Sequence, residues 1–307
     1  MVYLGNHPIL RRFSNSRIGR HGGSIGRPVI HEAEAPKSDN QRLRVRRVQR
    51  IRFTTSGWMG SPGYMLGLPH GRIIPIPVVI AVCERDDGTI LLVDAGWSAE
   101  VCRNPSSLGL VQRHTLGVRL HPGDDMVSQL RRAGLDPDRV TTIVATHLHF
   151  DHVGGALDFP HAELIATHDE VANAYPASWT HGYRRADLER VRRLRLVRLD
   201  PLPRLGFSHS LELDSEVTLL DTHGHSAGHV AVAVRSGSTM WIHGGDTAYL
   251  HRELRAPILS PLSRIMAYDT RSARVAQRRL QRTLDQGDVR VVLSHDPRGY
   301  SGLPKLG

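Results

Sequence analysis

Residues 146–155 read THLHFDHVGG, a run that places four metal-binding side chains within six positions. The run directly follows the apolar residues 142–145, which we expect to form a buried strand. Residues two apart on an extended backbone point to the same side of the chain. His147 and His149 can therefore converge on one metal ion at the end of this strand.

The second half of the run adds a carboxylate and a third imidazole. Asp151 and His152 come after the chain turns, so they face another direction and suit a neighbouring metal ion. Gly154 and Gly155 allow a tight passage into the segment that follows. Imidazole nitrogens and carboxylate oxygens are ligands of zinc and comparable divalent ions. The pattern therefore predicts a metal centre and argues against scattered surface histidines.

Further candidate donors occur later in the chain, which contains 19 histidines in all. Each of them comes directly after a predicted strand, so all could meet at one edge of the sheets. They are His225 in THGHSAGH at 222–229, Asp246 in GGD at 244–246, and His295 in SHD at 294–296.

The composition is that of a globular protein with a sizeable core. The chain has 307 residues, of which 40% are hydrophobic and 23% are charged. No apolar run approaches the roughly 20 residues needed to cross a bilayer, and the amino terminus lacks the apolar stretch of a signal peptide. We therefore expect a cytoplasmic protein without a membrane span. Cys83 and Cys102 are too few for a disulfide framework, so we expect reduced thiols.

The net charge of +10 is concentrated at the amino terminus. Residues 1–52 contain twelve Arg or Lys and three acidic residues, whereas the remainder contains 28 bases and 27 acids. We interpret residues 1–45 as a basic, flexible arm and residues 46–307 as the catalytic domain. Contact of the arm with nucleic acid or an anionic membrane is the alternative. Because the body is nearly neutral, we expect no nucleic-acid partner.

The rest of the chain alternates between predicted strands and helices. The predicted strands are 43–54, 73–84, 89–93, 142–145, 162–166, 210–213, 216–220, 229–235, 239–243 and 290–293. The predicted helices are 124–133, 168–174, 180–193 and 272–284. Two sets of strands, each followed by helices, suggest an α/β protein with two sheets packed face to face and covered outside by helices.

The motif and the later donors resemble the metallo-β-lactamase superfamily over about residues 46–307. That resemblance implies an αββα sandwich of two mixed sheets with a dinuclear centre between them. Asp94 would support the motif loop, and Asp246 would bridge the two ions. The other implied ligands are His147, His149 and His225 for the first ion, and Asp151, His152 and His295 for the second. Two divalent ions per chain are implied, with zinc favoured and cobalt, iron or manganese as alternatives.

Within this superfamily the sequence is most similar to N-acyl-homoserine lactonases. The similarity consists of HLHFDH at 147–152, Tyr249 three residues after Asp246, and SHD at 294–296. It implies a quorum-quenching lactonase that opens an ester ring by attack of a metal-bridging hydroxide. Tyr249 would stabilise the developing oxyanion, and Asp151 would pass the proton to the leaving alkoxide. The resemblance also suggests a homodimer.

Alternative functions use the same donors. A small-ester or thioester hydrolase of the same superfamily would have identical ligands, so its substrate alone would distinguish it. A nucleic-acid-processing hydrolase would depend on the basic arm, and a non-catalytic metal-binding protein would need no open site. The expected substrate is therefore a small lactone or ester.

Several other residues near the motifs are expected to have supporting or structural roles. We expect His223, His229 and His243 to support the ligands, and Phe150 to face the site. The remaining histidines that we consider, at 161, 168, 181, 209 and 251, are expected on the surface or at caps. An apolar segment could hold an acyl chain over the groove or form a core hairpin; it contains Trp58, Met59, Met65 and Leu66.

Overall fold

A computed structural model describes residues 29–32, 46–109, 117–175 and 181–307 of the chain. Two β-sheets form the centre of this part of the protein. The larger sheet has the order β1-β7-β6-β5-β4-β3-β2, in which β2, β3 and β4 are antiparallel and the others are parallel. Its strands are β1 Val29–Glu32, β2 Val48–Pro62, β3 Ile73–Arg85, β4 Ile90–Val93, β5 Val140–Val144, β6 Glu163–Thr167 and β7 Arg193–Val197.

The smaller sheet has the order β12-β11-β10-β9-β8. All its neighbouring strands are antiparallel except β11 and β12, which are parallel. Its strands are β8 Ser210–Glu212, β9 Val217–Asp221, β10 Val230–Ser236, β11 Thr239–His243 and β12 Val289–Val292.

Helices lie along the chain between and after these strands. The longest helix among the described residues, α8, is amphipathic and begins at an Asp269 cap whose carboxylate accepts the N–H groups of Arg271 and Ser272. The helices are α1 Ala99–Arg103, α2 Met126–Arg132, α3 Phe150–Val153, α4 His168–Ala174, α5 Arg185–Leu188, α6 His251–Arg255, α7 Pro261–Met266, α8 Thr270–Asp285 and α9 Pro297–Ser301. Among the described residues, no helix is long and apolar enough to cross a membrane.

Three apolar layers show how the sheets and helices pack. One cluster fills the space between the sheets and includes Phe53, Val144 and Trp241. A second covers the outer face of the larger sheet, and a third joins the smaller sheet to α6 and α8. Alternation along β5 explains the arrangement, because Ile143 and Val144 enter different layers. The expected αββα sandwich is confirmed.

The predicted helix at 180–193 is wrong over most of its described length. Only Arg185–Leu188 is helical, and Arg193–Val197 is the strand β7. The physical reason lies at the two ends of this segment. Gly182 has a φ of 82°, which a right-handed helix does not allow. At the other end, Arg193 begins a strand in which Leu194 and Leu196 are buried in the outer core and Arg195 between them is half-exposed.

The amino-terminal half departs from expectation at two further places. Val29–Glu32, within the segment expected to be a flexible arm, pairs with β7 as a parallel strand. The rest of that segment, 1–28 and 33–45, lies outside the described residues. Strand β2 continues to Pro62 and forms a long hairpin with β3.

Candidate metal centre

The motif loop is held at the end of β5 by a buried carboxylate. Asp94 has a positive φ of 61° and accepts hydrogen bonds from the backbone N–H of Thr146 at 2.8 Å and from His152 Nδ1 at 2.9 Å. His149 keeps an extended backbone at the cap of α3, so the helix begins after it and turns Asp151 and His152 in a new direction. Asp94 thus positions both ends of the motif, as the resemblance implies.

The other three donors reach the same place from the smaller sheet. His225 follows β9, Asp246 follows β11 and His295 follows β12. All are buried. Because the motif loop comes from the larger sheet, the donor cluster lies where the two sheets meet.

The seven predicted donors form a continuous cluster. Three groups could each hold an ion, with ligand atoms all within 4.8 Å of one another. These groups are His147 with His149 and His225; His147 with His152 and Asp246; and Asp151 with His152 and His295. The structure therefore brings together all seven residues that are predicted from the sequence as ligands.

Asp246 lies between the group that contains His225 and the group that contains His295. Its Oδ1 is 3.3 Å from His152 Nε2 and 3.2 Å from His295 Nε2, whereas its Oδ2 is 3.4 Å from His225 Nε2. One carboxylate with an oxygen directed at each group is the arrangement that a bridging ligand requires.

The donor atoms fit metal ions better than they fit each other. His147 Nε2, His152 Nε2 and Asp246 Oδ1 are buried without a hydrogen-bond partner, which is costly in a folded protein. His149 Nδ1 and His225 Nε2 are 3.2 Å apart. Nitrogen ligands on a tetrahedral zinc ion, each at 2.0–2.1 Å from it, lie about 3.3 Å from one another.

Hydrogen bonds to the outer ring nitrogens direct the inner ones at the cluster. His152 Nδ1 donates to Asp94, and His295 Nδ1 donates to the carbonyl of Pro77 at 2.7 Å. His147 Nδ1 lies 3.0 Å from the Thr146 hydroxyl. Each arrangement leaves Nε2 free to bind a cation, which is how proteins commonly orient metal-binding histidines.

Burial and charge separate the histidines into two sets. Burial lowers the pKa of His149 and His225 to about 3, and lowers that of His147 well below its usual value. These imidazoles are neutral and have lone pairs available. For His152 the nearby carboxylates, Asp151 first, outweigh burial and raise the pKa well above its usual value.

The two carboxylates of the cluster also differ. Burial raises the pKa of Asp151, and this effect outweighs the neighbouring His152 and His295. Burial also acts on Asp246, but His295, His152 and His225 together hold its pKa well below the usual range. The surrounding protein groups therefore favour the ionised form of Asp246 more strongly than that of Asp151.

Tyr249 lies against the donor cluster. Its ring stacks on that of His295, with centroids 5.4 Å apart and planes at 16°, and its side chain is buried. Burial, together with the charges of Asp246 and Asp151, raises the pKa of Tyr249 well above its usual value. The phenol therefore stays protonated at neutral pH and can donate a hydrogen bond.

The supporting histidines have different positions. His229 Nε2 accepts the backbone N–H of Asp246 at 3.0 Å, and His243 Nε2 lies 3.1 Å from the carbonyl of Val79. His223 is exposed and pairs with Asp221 at 2.7 Å, so it does not contact the cluster. His251, expected on the surface or at a cap, is the first residue of α6, is half-buried and pairs with Asp296 at 2.6 Å.

The structure corrects the expectation for Phe150 and favours one of the two interpretations of the apolar segment before β3. Phe150 does not face the donors: it packs into the outer core and its ring lies 5.3 Å from that of Trp97. This follows from its position in the first turn of α3, whose opposite side carries the ligands. In the segment before β3, Met59 and Leu66 belong to the same core, which favours the hairpin interpretation.

Glu170 is a site residue that sequence reasoning missed. This buried side chain on α4 accepts hydrogen bonds from Leu148 N–H at 2.9 Å, Ser226 Oγ at 2.6 Å and Gly228 N–H at 3.0 Å. Leu148 lies between two candidate ligands and Ser226 directly follows another. The Thr167-x-x-Glu170 spacing indicates a helix start, but no local signal shows that the carboxylate points inward.

Gly182 and Tyr183 were also missed. Tyr183 donates to Glu170 Oε1 at 3.0 Å, and its ring lies 4.8 Å from that of His149. A Cβ on Gly182 would lie 2.8 Å from the His149 ring. These residues form the wall behind one candidate ligand, although they follow it by more than thirty positions.

Comparisons with known proteins agree with this architecture. A model of the metallo-beta-lactamase superfamily matches residues 74–295. A probable metallo-hydrolase of Mycobacterium tuberculosis is 34% identical over 236 residues, which are 72% of this chain and 75% of that protein. An N-acyl homoserine lactonase of Rhizobium johnstonii is 28% identical over 256 residues, which are 77% of this chain and 88% of that protein.

A solved structure has the same fold. It is an N-acyl homoserine lactone hydrolase with the product N-hexanoyl-L-homoserine bound at its catalytic metal centre. The match has a TM-score of 0.69 at 20% identity and covers 84% of this chain and 98% of that one. The chain belongs to the metallo-β-lactamase superfamily. It is a metal-dependent hydrolase of that superfamily.

Proposed function

We propose that this protein opens the ester ring of lactones, with N-acyl-homoserine lactones as the first substrates to test. The centre would hold two divalent ions, with zinc favoured by its imidazole and carboxylate donors. Asp246 would contact both ions. The remaining ligands would be His147, His149 and His225 for one ion, and Asp151, His152 and His295 for the other.

The observation that carries this proposal is the placement of Tyr249. A protonated phenol whose ring stacks on His295 can donate a hydrogen bond beside the donors. The similarity to curated N-acyl homoserine lactonases supports the choice of substrate.

Each part of the centre has a distinct task in the proposed reaction. Two divalent ions would lower the pKa of bound water and so supply a nucleophile at neutral pH. Tyr249 would donate its O–H to the lactone carbonyl oxygen as negative charge develops there. Asp151 would take up a proton and deliver it to the ring oxygen as the C–O bond breaks.

The test combines a metal count with a substrate panel. Purified protein is analysed for metals, and acid release at constant pH is followed with lactones of short and long acyl chains, a small ester and a thioester. We expect two ions per chain and acid release that depends on the lactone. Two ions with inert lactones and a cleaved ester or thioester would instead assign the chain to another hydrolase of the superfamily.

The Tyr249→Phe variant tests the catalytic assignment. Loss of one oxyanion donor commonly costs about 100-fold in kcat, and a metal ion shares the task here, so we expect a loss of roughly 10- to 100-fold. The metal content should be unchanged. Tyr300→Phe is the matched control, because Tyr300 packs against Trp58 and not against the donors. Full activity of Tyr249→Phe would contradict the role of this phenol.

A further inference from the structure

The exposed large hydrophobic side chains of the described structure are unevenly distributed along the chain. Seven such side chains are exposed among the described residues, and six of them lie in two short segments, 64–73 and 258–275. Ile258, Ile265 and Tyr268 are 70%, 69% and 64% exposed. The other three are Tyr64, Ile73 and Val275, and Leu202 is the single one elsewhere.

The two segments form one continuous surface, which we call the α7 face. Helix α7 packs against the turn Gly63–Leu66. A Cβ on Gly67 would lie 3.7 Å from Cβ of Ser260, the residue that caps α7. Leu66 and Leu262 join the same apolar core beneath. The exposed side chains therefore lie above a shared layer and form a patch of the kind that marks an interaction site.

The α7 face is also basic. Five exposed arginines lie in or beside the two segments, and no ion pair within 4.0 Å involves any of them among residues 46–109, 117–175 and 181–307. They are Arg72, Arg264, Arg271, Arg278 and Arg282. The acidic residue in these segments is Asp269, whose carboxylate already caps α8.

We propose that the α7 face docks on the surface of an anionic lipid bilayer. Isoleucine and tyrosine side chains can enter the boundary between headgroups and acyl chains, while arginines remain at the lipid phosphates. A second copy of this face would bring arginines against arginines, so charge disfavours self-association through it. An acidic partner that lacks an apolar layer would leave the isoleucines in water.

Docking would place the metal centre close to the bilayer. Tyr268, within the α7 face, donates its backbone N–H to the carbonyl of His225 at 3.0 Å. Lactones with long acyl chains partition into lipid, so a docked enzyme would meet them at higher local concentration. This consequence rests on the proposed lactonase function, whereas docking itself does not.

The experiment measures flotation of the full chain with vesicles. The vesicles are phosphatidylcholine with or without about 30% phosphatidylglycerol. We expect the protein to float with the anionic vesicles alone and to be released by salt. The double variant Ile258→Asp/Ile265→Asp should lower the bound fraction at least about tenfold, because two charges then face the bilayer. Leu202→Asp is the matched control. Leu202 is an exposed hydrophobic side chain outside the α7 face, so this variant should bind the vesicles normally.

Three outcomes would overturn the proposal. Equal flotation of wild type and double variant would assign binding to another part of the chain, such as the basic residues 1–45. Absence of flotation with both vesicle types would exclude docking. A dimer that the double variant abolishes, without vesicle binding, would assign the α7 face to a second copy.

A soluble lactone separates this proposal from the proposed function. Without vesicles, the double variant should hydrolyse a short-chain lactone at the wild-type rate, because Ile258 and Ile265 do not contact the donors. An inactive wild-type protein that still floats would contradict the lactonase function and leave docking in place.

Discussion

Gly182 has no side chain, and this leaves room for the ring of the candidate ligand His149. It has a φ of +82°, and a Cβ there would overlap the His149 ring at 2.8 Å. Gly182→Ala should therefore displace His149 and lower the affinity for the ion that His149 would bind together with His147 and His225. We expect the metal count of the purified variant to fall from two toward one per chain, with a parallel loss of activity.

Gly287→Ala is the matched control for this prediction. Gly287 has the same φ of +82°, but a Cβ there meets nothing within 4 Å. Both variants pay a left-handed backbone cost of about 1 kcal/mol. Only the change at Gly182 should alter metal content. Equal metal content in the two variants would show that the His149 ring tolerates the added methyl group.

Helix α4 contributes to the centre through the carboxylate of Glu170. In Glu170→Gln the side-chain amide must face donor groups that now bind carboxylate oxygens, namely Leu148 N–H or Gly228 N–H. Such a buried mismatch costs about 1–3 kcal/mol. We expect a lower melting temperature in thermal unfolding. We also expect a lower affinity for the ion held by the loops that contain Leu148 and Gly228, measured by titration with zinc or cobalt.

Tyr183→Phe provides the control for the role of α4. It removes one O–H donor to Glu170 but retains the carboxylate and its two backbone partners. Its metal affinity should therefore lie between that of wild type and that of Glu170→Gln. If Glu170→Gln binds both ions normally, α4 supports the fold and not the ligand loops.

The centre connects the two sheets of the molecule, because the motif loop belongs to one sheet and His225, Asp246 and His295 follow strands of the other. Metal ions that bind only the native state stabilise it, by about 2.7 kcal/mol for each site at a concentration of one hundred times Kd. Chelation should lower the melting temperature by on the order of 10 °C, and zinc should restore it.

Asp246→Asn tests whether this effect depends on both ions. Without the charge that faces both groups, the variant should bind fewer ions and respond less to the chelator. A variant that keeps two ions, full activity and the full response to chelation would contradict the assignment of Asp246 as the shared ligand.

The donors and the architecture were predictable from local patterns. Residues 147–152 carry their ligands at fixed spacing after an apolar run, so strand geometry alone aims the first two in one direction. Two sets of predicted strands, each followed by helices, indicate two packed sheets, and each later donor comes soon after one of the strands. These are relations between neighbouring residues, which the order of the chain determines.

The remaining features depend on contacts between residues far apart in the chain. Glu170 reaches Leu148 and Gly228, and Gly182 lies against His149, only because the loops after β5, β6 and β9 meet in space. Phe150 turns into the core because Trp97 supplies its packing partner. The α7 face exists because a turn after β2 lies against a helix some two hundred residues later. Local periodicity in the sequence does not predict these long-range contacts, because they depend on how the whole chain packs.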